Sequence, residues 1–122
     1  LHKSVQLKGF TAKMVAGVPS FCAAAACLGE SLTDAHLPFH ILPASYQGFE
    51  EGLGYPGTKI LMKTGKSLES VKETLKERGL LHCTKMVQRC GMDGERVVQS
   101  LDDAELSPDY FSIIFVKDWE GC

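Results

Sequence analysis

Apolar residues fall along this chain in short blocks separated by glycine, proline and charge, and the spacing within each block assigns its element. Residues 58–63 (TKILMK) have a continuous apolar centre, the pattern of a strand buried on both faces. After Ser67, the apolar positions Leu68, Val71 and Leu75 recur at helical spacing, with Ser67 as the expected cap and Gly79 as the stop. The run SFCAAAACLG from Ser20 to Gly29 predicts a compact helix, because alanine has the highest helix propensity and glycine ends a helix in the left-handed conformation at little cost. Ser20 is its expected N-cap.

The remaining blocks are shorter. Residues 1–8 read as the last turns of a helix ending at Gly9, and residues 10–15 as a strand entering the turn Ala16-Gly17-Val18-Pro19. Residues 39–42 form an expected strand between Pro38 and Pro43. Residues 46–53 predict a short helix, followed by a loop punctuated by Gly54, Pro56 and Gly57. Residues 82–89 alternate as a strand with Cys83, Lys85, Val87 and Arg89 on one side. Residues 95–99 continue as a strand after the Gly91-Met92-Asp93-Gly94 turn, residues 102–109 are an acidic connector, and residues 110–116 are a closing strand. Early β/α alternation followed by adjacent strands predicts an α/β or α+β fold, a mixed sheet flanked by helices, with antiparallel pairing among the last strands.

Composition narrows the function. The chain has 122 residues, 44% apolar and 23% charged, enough for one domain with its own core. A net charge of -2 without a basic run supplies no general surface for nucleic acid or anionic membrane. No stretch approaches the roughly 20 apolar residues of a membrane span. Five cysteines without CxxC spacing argue against a disulfide framework or zinc ribbon. They read most simply as small hydrophobes of a cytoplasmic protein. His36 and His40 are separated by Pro38, which forbids a helical ligand pair, so no metal site is expected. The pairs Glu50-Glu51 and Asp102-Asp103 read as solvated charge.

The segment MVAGVPSFCAAAACLG, residues 14–29, resembles the second-domain signature of the tetrapyrrole (corrin/porphyrin) methylases, a hydrophobic strand followed by a Pro-Gly-Val-Thr-Ser turn and an alanine-rich helix. Three further blocks follow in the order and spacing of that family: ILMKTGKSLESV from Ile60, KMVQRCGMDGERVV from Lys85 and DYFSIIFVK from Asp109. The SFCAAAA, LMK and YFS stretches are most similar to the precorrin-2 C(20)-methyltransferase branch. The resemblance implies an α/β fold and S-adenosylmethionine as methyl donor. The substrate would be a tetrapyrrole, precorrin-2 or cobalt-factor II, methylated at C-20. The alternatives are a family member with a different substrate or position, or a non-catalytic ligand-binding or dimerisation α/β module. The resemblance also implies a homodimer. Such enzymes have two α/β domains around a cofactor cleft. Residues 1–9 would then be the tail of a helix from a preceding domain, and residues 10–122 the C-terminal domain, an incomplete half when alone.

By that resemblance Pro19, Ser20, Met62, Cys90 and Gly91 border the cofactor. Their charge alone makes Lys63 and Lys66 candidates for meeting substrate carboxylates, solvated lysine being the default for both, and makes Arg89 either a carboxylate clamp or an ordinary ion-pairing residue. Residue chemistry leaves plainer readings beside these. Ser20 begins a helix whose first N–H groups can bind a carboxylate or hydroxyl, yet the same pattern describes a core helix. Ala16 stands where the family has proline and Pro19 where it has threonine, so Pro19 offers neither N–H nor hydroxyl and Ser20 is the better contact. Met62 packs equally well on a flat ring or in a core. Gly91 permits close backbone approach. Methyl transfer from a sulfonium relies on positioning and desolvation, so no residue is assigned to proton removal. Only Arg78, Arg89 and Arg96 supply guanidinium groups.

Overall fold

The computed structural model describes residues 1–102 and 105–117, which build a mixed five-stranded sheet with helices on both faces. In chain order the elements are α1 (His2–Leu7), α2 (Ser20–Leu28), β1 (Phe39–Pro43), α3 (Phe49–Gly52), β2 (Thr58–Met62), α4 (Leu68–Glu77), β3 (Thr84–Gln88), β4 (Arg96–Val98) and β5 (Ser112–Val116). One-turn 3-10 segments precede α4 (Gly65–Ser67) and β3 (Leu81–Cys83). The order across the sheet is β1-β2-β5-β3-β4. β1 and β2 are parallel, whereas β5 runs antiparallel to both β2 and β3, and β4 antiparallel to β3.

The last strand in sequence thus inserts at the centre, and its composition explains why. Ser112–Val116 is buried at every position, as a strand covered on both faces must be. Alternation along the central strands sorts the core into two layers. Leu61, Met86, Ile114 and Val116 pack with Leu68, Val71 and Leu75 of α4. Ile60, Val87, Ile113 and Phe115 pack with Ala24 and Ala25 of α2. The alanines let α2 lie close to the sheet.

Four local expectations are corrected. Residues 10–15 form no strand, and Phe10, Met14 and Val15 are exposed, because no neighbouring strand offers them a ladder. Ser20 is the first helical residue and not the cap. Pro19 occupies the cap position with extended backbone (φ -62°, ψ 145°), and no side chain caps that end. Ser67 precedes α4 without a side-chain cap bond, since the chain enters through a 3-10 turn. Cys83 and Arg89 fall outside the strand predicted over 82–89, because β3 covers only Thr84–Gln88. The reading of Asp103 as solvated charge and residues 118–122 of the expected domain lie outside the described residues.

Candidate functional site

The carboxyl ends of β2 and β3 and the amino end of β5 meet on one rim of the sheet, a consequence of β5 running antiparallel to both neighbours. There Ser20, Met62, Lys63, Cys90, Met92, Tyr110, Phe111, Ser112 and Ile113 line a cavity of about 410 Å³. Of the residues singled out in the sequence, Ser20, Met62, Lys63 and Cys90 thus share one cavity. Pro19, Arg89 and Gly91 adjoin its lining in sequence without belonging to it. Sequence reasoning missed Met92, Tyr110 and Phe111. The available signal was exposure-prone aromatic and thioether residues at the turn after β3 and the entry to β5.

Two backbone features mark this rim. Among the described residues, Lys63 (φ 58°) and Arg89 (φ 52°) are the non-glycine residues with positive φ, and each directly follows a strand, β2 and β3 respectively. Such conformations cost about 1–2 kcal/mol for an L-residue and concentrate at functional positions. Lys63 places its ammonium 5.7 Å from the Tyr46 ring centroid, a cation–π arrangement.

A polar network holds the aromatic wall. Buried Gln88 donates from Nε2 to the Ser107 carbonyl and to Ser112 Oγ, both at 2.9 Å, and Ser112 Oγ donates to the Asp109 carbonyl at 2.7 Å. Asp109 accepts from Arg89 Nε through Oδ2 at 2.6 Å and from the Phe111 N–H through Oδ1 at 2.8 Å. The Arg89 guanidinium, followed by the Phe111 N–H, holds the Asp109 carboxyl below its ordinary value. Arg89, expected to meet substrate, therefore already spends one donor on orienting Tyr110 and Phe111.

Lys63 and Tyr110 also line a second cavity of about 430 Å³, together with Ser45, Tyr46, Thr64, Gly65, Lys66 and Ser67. The two spaces form adjacent lobes, one apolar and one carrying two lysines beside the amino end of α4. A larger open cavity of about 570 Å³ lies between α4 and β4, lined by residues such as Glu69, Lys72, Arg96 and Glu105, and contains none of the expected site residues. His40 Nε2 lies 3.1 Å from the Pro56 carbonyl, and its ring packs beside Tyr55.

Residues 1–105 match the family described as Tetrapyrrole (Corrin/Porphyrin) Methylases. The chain belongs to this family. Cobalamin biosynthesis protein CobIJ of Mycobacterium bovis and of Mycobacterium tuberculosis is 32% identical over 116 residues, covering 93% of this chain. The chain spans only 23% of the length of those relatives. Among solved structures, uroporphyrin-III-C-methyltransferase from Thermus thermophilus superposes with TM-score 0.62 at 25% identity, covering 94% of this chain and 55% of that one. The same enzyme complexed with S-adenosyl homocysteine gives TM-score 0.61 at 21% identity, a likeness of fold, with 93% of this chain and 56% of that one covered. The family and the mixed α/β sheet expected from the sequence blocks are thereby established. Among the described residues, no helix of this methylase chain is long and apolar enough to cross a membrane.

Proposed function

We propose that the apolar lobe at the ends of β2, β3 and β5 binds S-adenosylmethionine, and that the chain serves a C-methyltransferase of cobalamin biosynthesis acting at C-20 of precorrin-2 or cobalt-factor II. The observation that carries the reading is the convergence of Ser20, Met62, Lys63 and Cys90 on one cavity. The chemistry of its lining fits the group. Met62, Met92 and Phe111 offer polarizable and flat surfaces suited to a heterocycle. Ser20 sits at the uncapped amino end of α2, which favours an anionic group such as a carboxylate.

When bound, S-adenosylmethionine supplies an activated methyl group on a sulfonium. The chain's own residues contribute binding, orientation and exclusion of water. Lys63 and Lys66, in the neighbouring lobe, are placed to hold carboxylates of a tetrapyrrole, with Arg89 as a further cation at the rim. The cobalamin branch is supported by the SFCAAAA, LMK and YFS stretches and by likeness to a cobalamin biosynthesis protein. Family likeness supports a reading in which a preceding domain forms the opposite wall of the cofactor cleft. Family likeness supports a homodimeric, cytoplasmic enzyme.

Titration of the 15N-labelled chain with S-adenosylhomocysteine tests the cofactor site. Saturable shifts should centre on Ser20, Met62 and Cys90, and Met62→Glu should weaken binding at least about tenfold while leaving the fold intact. Shifts confined to other surfaces would rule the site out. In a longer protein containing this chain, methylation assays with precorrin-2 and cobalt-factor II then test the substrate.

A further inference from the structure

Behind the cavity, the last turn of α2 meets the turn that follows β3. Cys27 Sγ and Cys90 Sγ lie 2.9 Å apart, although the residues are 63 positions apart in sequence. Both are free thiols and partly buried. Their surroundings hold them in register. On one side, the ion pair of Lys85 with Glu30 ties the end of α2 to β3. On the other, Glu95 Oε2 accepts the Gly91 N–H at 2.6 Å, closing the turn that carries Cys90, and lies 3.6 Å from Cys27 Sγ.

We propose that Cys27 and Cys90 are a redox-sensitive pair that closes to a disulfide, stapling the end of α2 to the turn after β3. The sulfurs must approach to about 2.0 Å, a shift within reach of side-chain rotation at partly buried positions. Cys27, Cys90 and Glu95 also offer three ligand atoms within 4.8 Å of one another. Two thiolates sharing one tetrahedral zinc at about 2.3 Å would stand roughly 3.8 Å apart, so the observed spacing favours the disulfide over a metal clasp.

The oxidant is a low-molecular-weight disulfide. The Cys90 thiolate attacks one of its sulfurs, that S–S bond breaks, and the first small thiol leaves with a proton. Cys27 keeps its proton longer, its pKa pushed up to about 12 by the hydrogen bond with Cys90, by partial burial, and by the nearby Cys90 and Glu95 charges. On losing that proton, Cys27 attacks the mixed disulfide at Cys90, and the second small thiol leaves protonated. Both cysteines are oxidised, and one small disulfide is reduced to its two thiols.

Because Cys90 also lines the apolar lobe, the staple would fix one edge of that cavity. Its effect on a cofactor rests on the function proposed above, whereas its formation does not.

Peptide mapping separates the possibilities. The reduced chain is incubated anaerobically with glutathione disulfide, quenched with N-ethylmaleimide, digested with trypsin and analysed by mass spectrometry. A Cys22→Ser background is used, since no Lys or Arg lies between Cys22 and Cys27 to separate them. The expected product joins the Cys27 and Cys90 peptides directly, and the unfolding temperature rises on the order of 10 °C. Cys27→Ser should leave Cys90 as a mixed disulfide with glutathione, and its unfolding temperature should stay on the order of 10 °C below that of the identically treated Cys22→Ser chain, a comparison that cancels any contribution from the disulfide-bonded Cys83. Alkylation of both cysteines, or separate glutathione adducts on each, would overturn the proposal. So would protection from alkylation by zinc, reversed by EDTA, in a chain that fails to cross-link.

Discussion

Asp109 places one carboxylate between two donors that belong to different parts of the pocket rim. Arg89 Nε reaches it from the end of β3, and the Phe111 N–H from the entry to β5. These contacts lower its pKa, so they stabilise the fold above the unfolded carboxylate value, about 4, and are lost as pH falls through the lower folded value. The protection of the Phe111 amide against hydrogen exchange, taken relative to the intrinsic rate at each pH, should fall below about pH 4. Asp109→Asn should remove that acid step and show faster exchange already at neutral pH, because the Arg89 ion pair is gone. An unchanged acid step would mean that another group controls this wall. Cys27 gives a second check at the same scale. Cys90→Ala removes the first cause of its raised pKa, so alkylation of Cys27 at pH 8 should speed up by roughly tenfold or more. Iodoacetamide kinetics would read this directly.

Among the elements, those that bury a face were legible and those that lack a partner were not. The TKILMK block became β2 because Ile60 and Leu61 are each covered, one by each helical layer. Helices α2 and α4 were readable from alanine content and from the Leu68, Val71, Leu75 spacing. Residues 10–15 carry the same apolar signal as a strand but remain exposed, since strand propensity acts only through neighbours on a sheet. The site was legible only in pieces. Ser20, Met62, Lys63 and Cys90 could be named from motif blocks, but the antiparallel insertion of β5 that brings Tyr110 and Phe111 beside them involves contacts far apart in sequence. The strained ends of β2 and β3 were likewise invisible, because nothing in a Lys or Arg announces positive φ. That strain makes a prediction at the element scale. Lys63→Gly should raise stability by about 0.5–1 kcal/mol, strain relief being partly offset by the lost contact with Tyr46. On the proposed function it should also weaken substrate binding, so urea melts and substrate affinity would move in opposite directions.

Across the whole molecule, one sheet separates two apolar layers, and the central strand β5, like its neighbours β2 and β3, contributes to both. Ile114 faces α4 while Ile113 and Phe115 face α2, so a loss in either layer is felt at the same central strand. Sheet and helices should therefore unfold together instead of peeling apart layer by layer. Ile114 is fully buried, and Ile114→Ala leaves a cavity that neighbouring strands cannot easily fill, for an expected cost of about 3–4 kcal/mol. Phe39 on the edge strand β1 is 43% exposed, so Phe39→Ala should cost about 1 kcal/mol despite deleting a larger side chain. Urea unfolding followed in parallel by far-ultraviolet circular dichroism and by tyrosine fluorescence would distinguish these outcomes. Coincident transitions, shifted far more by Ile114→Ala than by Phe39→Ala, are expected. Separate transitions would show that the α2 layer, which contributes Ser20 to the candidate site, folds independently of the α4 layer, and that the rim between them is not held as one unit.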